Sequence, residues 1–137
     1  MSIQAYQQAA KQTANPRDLE FRLFAQVTRA LTEAKDAPRH DIKTVMDALD
    51  WNRRVWSAMA MDCAREANSL PEDTRAGIIS LSIFVSKHTS VAARKRDEFD
   101  TLIEINRNIM GGLAAMAEAA GQPISAEAQA AGAHAAA

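Results

Sequence analysis

The chain has 137 residues, a formal net charge of −1, 47% apolar and 24% charged residues, and one cysteine. That length suits one domain with a core of its own, built without metals or cross-links. A near-zero charge provides no global field for nucleic acid or an anionic membrane, and a lone Cys63 excludes an intramolecular disulfide.

The opening MSIQAYQQAAKQ has no basic segment leading into an apolar core, so no secretory signal is expected. Residues 2–13 have the makings of a short helix with Ile3, Tyr6 and Ala10 on one side. NPRDLE then marks a helix start. Asn15 can cap, Pro16 suits the first helical position, and Asp18 favours the positive end of the dipole. The predicted helix from Pro16 to about Ala34 sets Leu19, Leu23, Val27, Ala30 and Leu31 on one stripe, with Phe24 at its margin. Pro38 ends it.

Asp41 caps a second predicted helix, from Ile42 to about Ala67. Its stripe reads Ile42, Val45, Met46, Leu49, Asn52, Trp56, Met59 and Cys63. Asn52 on that seam reads as a core or boundary amide that fixes register.

The third helix starts near Pro71, with Glu72 and Asp73 at its positive end, and from Ala76 to Ser86 it carries no charge. A helix apolar all round belongs at the centre of a bundle, and this one is expected there. Gly77 inside it suggests a close helix crossing, or less simply a ligand contact. The polar run SKHTSVAARKRDEFD either prolongs the helix or turns near residues 92–94.

A last helix runs from about Asp97 to Ala119, with Phe99, Leu102, Ile103, Asn106, Ile109, Met110 and Leu113 on one face. Asn106 is a second seam amide, and one reading among others has it meet Asn52 inside the bundle. Gly111 and Gly112 are expected to weaken or end this helix early. After Gly121 few large apolar groups remain, so residues 120–137 are expected to form a flexible tail beside a helical domain of residues 1–119, with alanines that would let it become helical against a partner. The fold class is all-α, four to five helices around the central apolar one.

Chemistry is sparse. His40, His88 and His134 have no metal-ligand partner at helical spacing, and no phosphate loop or CxxC occurs, so no metal, cofactor or catalytic residue is expected and the chain reads as no enzyme. Cys63 sits on an apolar stripe as a buried thiol would. Arg53 and Arg54 lie among Trp51 and Trp56, and Arg94, Lys95 and Arg96 form a second basic cluster. Asp47, Asp50 and Asp97 stand beside them, which favours solvated helix faces over an RNA surface. No apolar run approaches the roughly 20 residues of a spanning helix, and a cytoplasmic protein is expected.

Three segments, DALDWNRRVW (Asp47 to Trp56), NSLPEDTRAGIISLSIFV (Asn68 to Val85) and LIEINRNIMGGL (Leu102 to Leu113), resemble the FlaF family of alphaproteobacterial flagellar regulators in order and spacing. AYQQA, Ala5 to Ala9, resembles it too, and the likeness spans about Ile3 to Leu113. The resemblance implies a cytoplasmic factor that binds flagellin as a chaperone for its synthesis and export. It also implies an alternative, post-transcriptional regulation of flagellin through FlbT or directly on its messenger. It brings no catalytic residues. A partner helix would lie in an apolar groove, and Trp51, Arg54, Val55, Ile105, Arg107 and Asn108 are assigned to it because they fall off the core stripes.

Overall fold

The computed structural model describes residues 2–5 and 15–136, with side chains through 133. The polypeptide is helical throughout its ordered elements: α1 (Pro16–Lys35), α2 (Ile42–Cys63), α3 (Glu72–Arg94), a 3-10 turn (Arg96–Glu98), α4 (Phe99–Ala119) and α5 (Ala126–Ala136). Residues 3–5 are helical as well, and the Ser2 hydroxyl accepts the Ala5 amide there; Tyr6 and Ala10 lie outside the described residues.

The predicted caps form. Asn15 Oδ1 accepts the Asp18 amide at 3.3 Å, with Pro16 in the first turn of α1. Asp41 takes both the amide (3.2 Å) and the hydroxyl (2.7 Å) of Thr44 at the start of α2. Pro71 is itself the N-cap of α3, just ahead of Glu72 and Asp73. At the other end of α1, Arg96 Nη1 donates to the carbonyls of Ala34, Lys35 and Ala37 at 3.0, 3.1 and 2.8 Å. Lys35 is the last residue of α1 and Ala37 follows it in the turn, while Ala34 O also accepts the backbone amides of Asp36 and Ala37, so one guanidinium gathers the carbonyls at this helix end and ties it to the turn before α4.

The centre of the bundle is α1, which packs against α2, α4 and α5. It buries Phe21, Leu23, Phe24, Ala25, Val27, Thr28, Leu31 and Ala34, a far wider arc than one stripe. Phe24, expected at the margin, is 1% exposed and meets Trp56 edge-on with centroids 5.2 Å apart. Leu19 and Ala30 are only partly buried.

The charge-free helix is not central. α3 packs chiefly on α2, and buries only Ile78, Ser82, Val85 and Ala92. Leu81, Ile83 and Phe84 stand 39, 53 and 43% exposed. Its lack of charge comes from Ala76, Gly77, Ser80, Ser82 and Ser86 as much as from large apolar groups, so neutrality here does not mean burial. By length and composition alone α3 could cross a membrane, although no run in the sequence was expected to. Gly77 faces open space rather than a crossing helix.

Further corrections concern the C-terminal third. α4 runs through Gly111 and Gly112 to Ala119, because Ile109, Met110, Leu113 and Ala117 stay buried on either side of the pair. The expected flexible tail instead contains a docked helix. Ile124 and Ala128 are 5 and 0% exposed, and a Cβ on Gly132 would come within 2.8 Å of Phe21 Cε1. Small side chains let α5 approach α1 closely, and polar contacts replace the missing bulk. Asp18 accepts the Ser125 amide at 2.6 Å, while Arg22 reaches Ser125 Oγ and Glu127.

Candidate partner-binding surface

Trp51 and Arg54 lie on the outer side of α2. With Asp47 and Asp50 of the same helix and Ser2, Ile3 and Gln4 of the N-terminus they line an open cleft of about 620 Å³. Trp51 and Ile3 are each half-buried against the core, giving the cleft an apolar floor. Arg53 Nη2 and Arg54 Nε both reach Asp50, at 3.0 and 2.8 Å, so this basic cluster is neutralised in part by its own helix. The second cluster divides likewise, because Arg96 is engaged on α1 while Arg94 and Lys95 are exposed.

Val55 does not belong to a surface. It is 2% exposed, because α2 is packed between α1 and α3 and buries more than one stripe. The residues expected from α4 separate. Asn106 points inward, and Ile105 and Arg107 on either side of it are about 200° apart around the helix. Ile105 is half-buried against the core; Arg107 lines a different cleft of about 380 Å³ with Thr32, Lys35, Asp36, Asp100, Ile103 and Glu104. Asn108 is exposed. Of the six assigned residues the structure therefore brings Trp51 and Arg54 together, and sets Arg107 elsewhere.

The two seam amides do meet. Asn106 Nδ2 donates to Asn52 Oδ1 at 2.7 Å, and Trp56 Nε1 donates to Asn106 Oδ1 at 2.8 Å, all three residues being 0% exposed. Their role is architectural: they couple α2 to α4 inside the core.

Sequence reasoning missed the outward face of α3. Its signal was present in the charge-free run but was read as burial. Ile42, Met46 and Met61 of α2 are also exposed, whereas Met59 and Met110 are buried. Cys63 is buried, and desolvation, with Asp62 and Glu20 nearby, pushes its thiol above its ordinary value. His88 Nε2 lies 3.0 Å from Glu98 and its ring stacks on Phe84. Among the described residues no three His, Cys, Asp or Glu side chains converge as metal ligands.

The family model for flagellar protein FlaF matches residues 2–113. The chain belongs to the FlaF family. No curated protein and no solved structure matches it significantly. The matched span takes in α1, α2, α3 and α4 up to Leu113, so the FlaF portion holds the Trp51 cleft, the buried amide pair and the exposed face of α3. The docked helix α5 lies beyond it.

Proposed function

We infer that this FlaF protein binds flagellin in the cytoplasm as a chaperone for its synthesis and export. Membership of the flagellar family carries the reading. The Trp51 cleft supports it physically. Filament subunits that pack through helices need cover for those apolar faces before assembly, and a helical bundle with an open, half-apolar cleft offers a groove for one such helix. Trp51 supplies the broad contact and Arg54, with Asp50, the polar rim. The partial neutralisation of Arg53 and Arg54 by Asp50 weighs against flagellin messenger as the direct ligand.

Calorimetry against monomeric flagellin at low and high salt tests the reading. Saturable binding that survives salt, with a negative heat-capacity change, is expected from apolar burial. Trp51→Ala is expected to weaken it at least tenfold, the scale of a central aromatic contact. Absence of flagellin binding, with binding to FlbT or to messenger instead, would overturn the chaperone role.

A further inference from the structure

The outward face of α3 has a pattern beyond mere exposure. Asp73, Gly77, Ser80, Phe84 and Lys87 follow one another at four-three-four-three spacing, and all five are exposed, as are their flanking neighbours Ala76 and Ile83. That spacing keeps a single stripe on one side of a helix. It is also ordered by size and by charge about Ser80. Small residues, Ala76 and Gly77, precede it, and large ones, Ile83 and Phe84, follow at matching separations. An acid, Asp73, stands seven residues before it and a base, Lys87, seven residues after. No ion pair holds Asp73 or Lys87 among the described residues, and a Cβ on Gly77 would meet nothing within 4 Å.

We propose that α3 is a self-association face, on which a second copy of this chain docks its own α3 antiparallel, with the twofold axis passing at Ser80. In that arrangement Asp73 of each copy faces Lys87 of the other. Ala76 opposes Phe84 and Gly77 opposes Ile83, so each bulky group enters the space left by a small one. The pattern is complementary to itself only in this orientation; a parallel pair would stack Asp73 on Asp73, Lys87 on Lys87 and Phe84 on Phe84. Antiparallel helices also oppose their dipoles favourably. A symmetric, isologous contact closes on itself and stops at two copies.

A bilayer is a poorer fit for the same face. The uncharged run Ala76–Ser86 has eleven residues, about 16 Å of helix against a hydrocarbon thickness of about 30 Å. The contact from Asp73 to Lys87 is about 21 Å long. One helix pair of that length lies at the small end of specific interfaces, so a weak, concentration-dependent dimer is expected.

Sedimentation of the purified full chain over a wide concentration range, with circular dichroism to confirm folding, tests the proposal. The wild type is expected to pass from monomer to dimer. Asp73→Lys and Lys87→Asp alone set like charges opposite each other in both halves and are each expected to weaken the dimer roughly tenfold or more. The two variants mixed form complementary pairs, and the double variant in one chain restores the opposed charges. Both are expected to regain dimer, which nonspecific clustering of apolar groups would not do. Phe84→Ala removes the bulky contact and is expected to weaken the dimer without charge change. A chain that stays monomeric throughout overturns the proposal. So does association that Asp73→Lys and Lys87→Asp leave untouched, or vesicle binding by a monomer. The flagellin titration is read through Trp51 on another surface, so either result can fail without the other.

Discussion

The amide of Asn106 donates to the carbonyl of Asn52 at 2.7 Å in a core where both residues are wholly buried. Trp56 Nε1 donates to the same Asn106 side chain from the other direction. Asn106→Leu would strip both partners at once, leaving an indole N–H and an amide unpaired away from water. Each such group costs about 1–3 kcal/mol, so a loss of about 3 kcal/mol or more in urea unfolding is expected. The double variant Asn52→Leu, Asn106→Leu leaves only the indole unmatched and should recover part of that loss, which a mutant cycle measures.

Arg96 is the second polar tie, and here neighbouring arginines differ in role. It donates to three carbonyls at and just beyond the end of α1, whereas Arg94 is exposed at the end of α3. Arg96→Ala is expected to cost about 1.5–3 kcal/mol, as for hydrogen bonds from a charged donor. Arg94→Ala should stay within about 0.5 kcal/mol of wild type, as exposed substitutions do. Thermal unfolding of both variants side by side checks the contrast; equal shifts would mean that the Arg96 contacts contribute nothing beyond surface charge.

The glycines separate by environment in the same way. A side chain at Gly132 would enter the Phe21 and Met110 side chains, at 2.8 and 3.2 Å for the first carbon alone. Gly132→Val is therefore expected to lift α5 from α1, seen as faster amide exchange in residues 124–133 while α2 and α3 stay protected. Gly111 and Gly112 meet nothing within 4 Å and are exposed within α4. Gly111→Ala should stabilise the protein by about 0.5–1 kcal/mol, the helical advantage of alanine over glycine.

Local rules were legible and long-range ones were not. Asn15 with Pro16, and Asp41, announce helix starts because capping depends on three or four consecutive residues. The pairing of Asn52 with Asn106 could be expected, since each lay on an otherwise apolar seam. The placement of α3 could not be read from its lack of charge, because Ser and Gly lower charge without adding surface to bury. Conversely α1 is central despite Arg17, Asp18, Glu20 and Arg22. Arg17 pairs with Glu20 at 2.9 Å and Arg22 with Asp18 at 3.1 Å, so charges there are compatible with burial. The alanines of α5 signal a capacity for helix, but its docking on α1 could not be read for a related reason: it rests on close approach by Ala128 and Gly132, while composition weighs only large side chains. At the candidate surface, Trp51 and Arg54 could be placed from one helix's periodicity. Val55 could not, since its burial depends on α3 covering a second side of α2.

Asp41 offers a last test, through pH. Its carboxylate accepts the Thr44 hydroxyl and amide, and these bonds, the hydroxyl's first, hold it below its ordinary value of 3.8; His40 and Lys43 add smaller contributions in the same direction. A carboxyl group depressed in the folded state stabilises it above the unfolded value, and that stabilisation fades as pH falls through the folded value. Asn at this position still caps through its side-chain oxygen but does not titrate. Wild type is therefore expected to exceed Asp41→Asn in stability at neutral pH. The gap should close as the solution is acidified below the usual carboxylate range, about pH 4. Urea unfolding of both proteins across that range measures it. A gap that is constant with pH would mean that Asp41 acts by shape alone, with the charge on its oxygens contributing nothing to holding the first turn of α2.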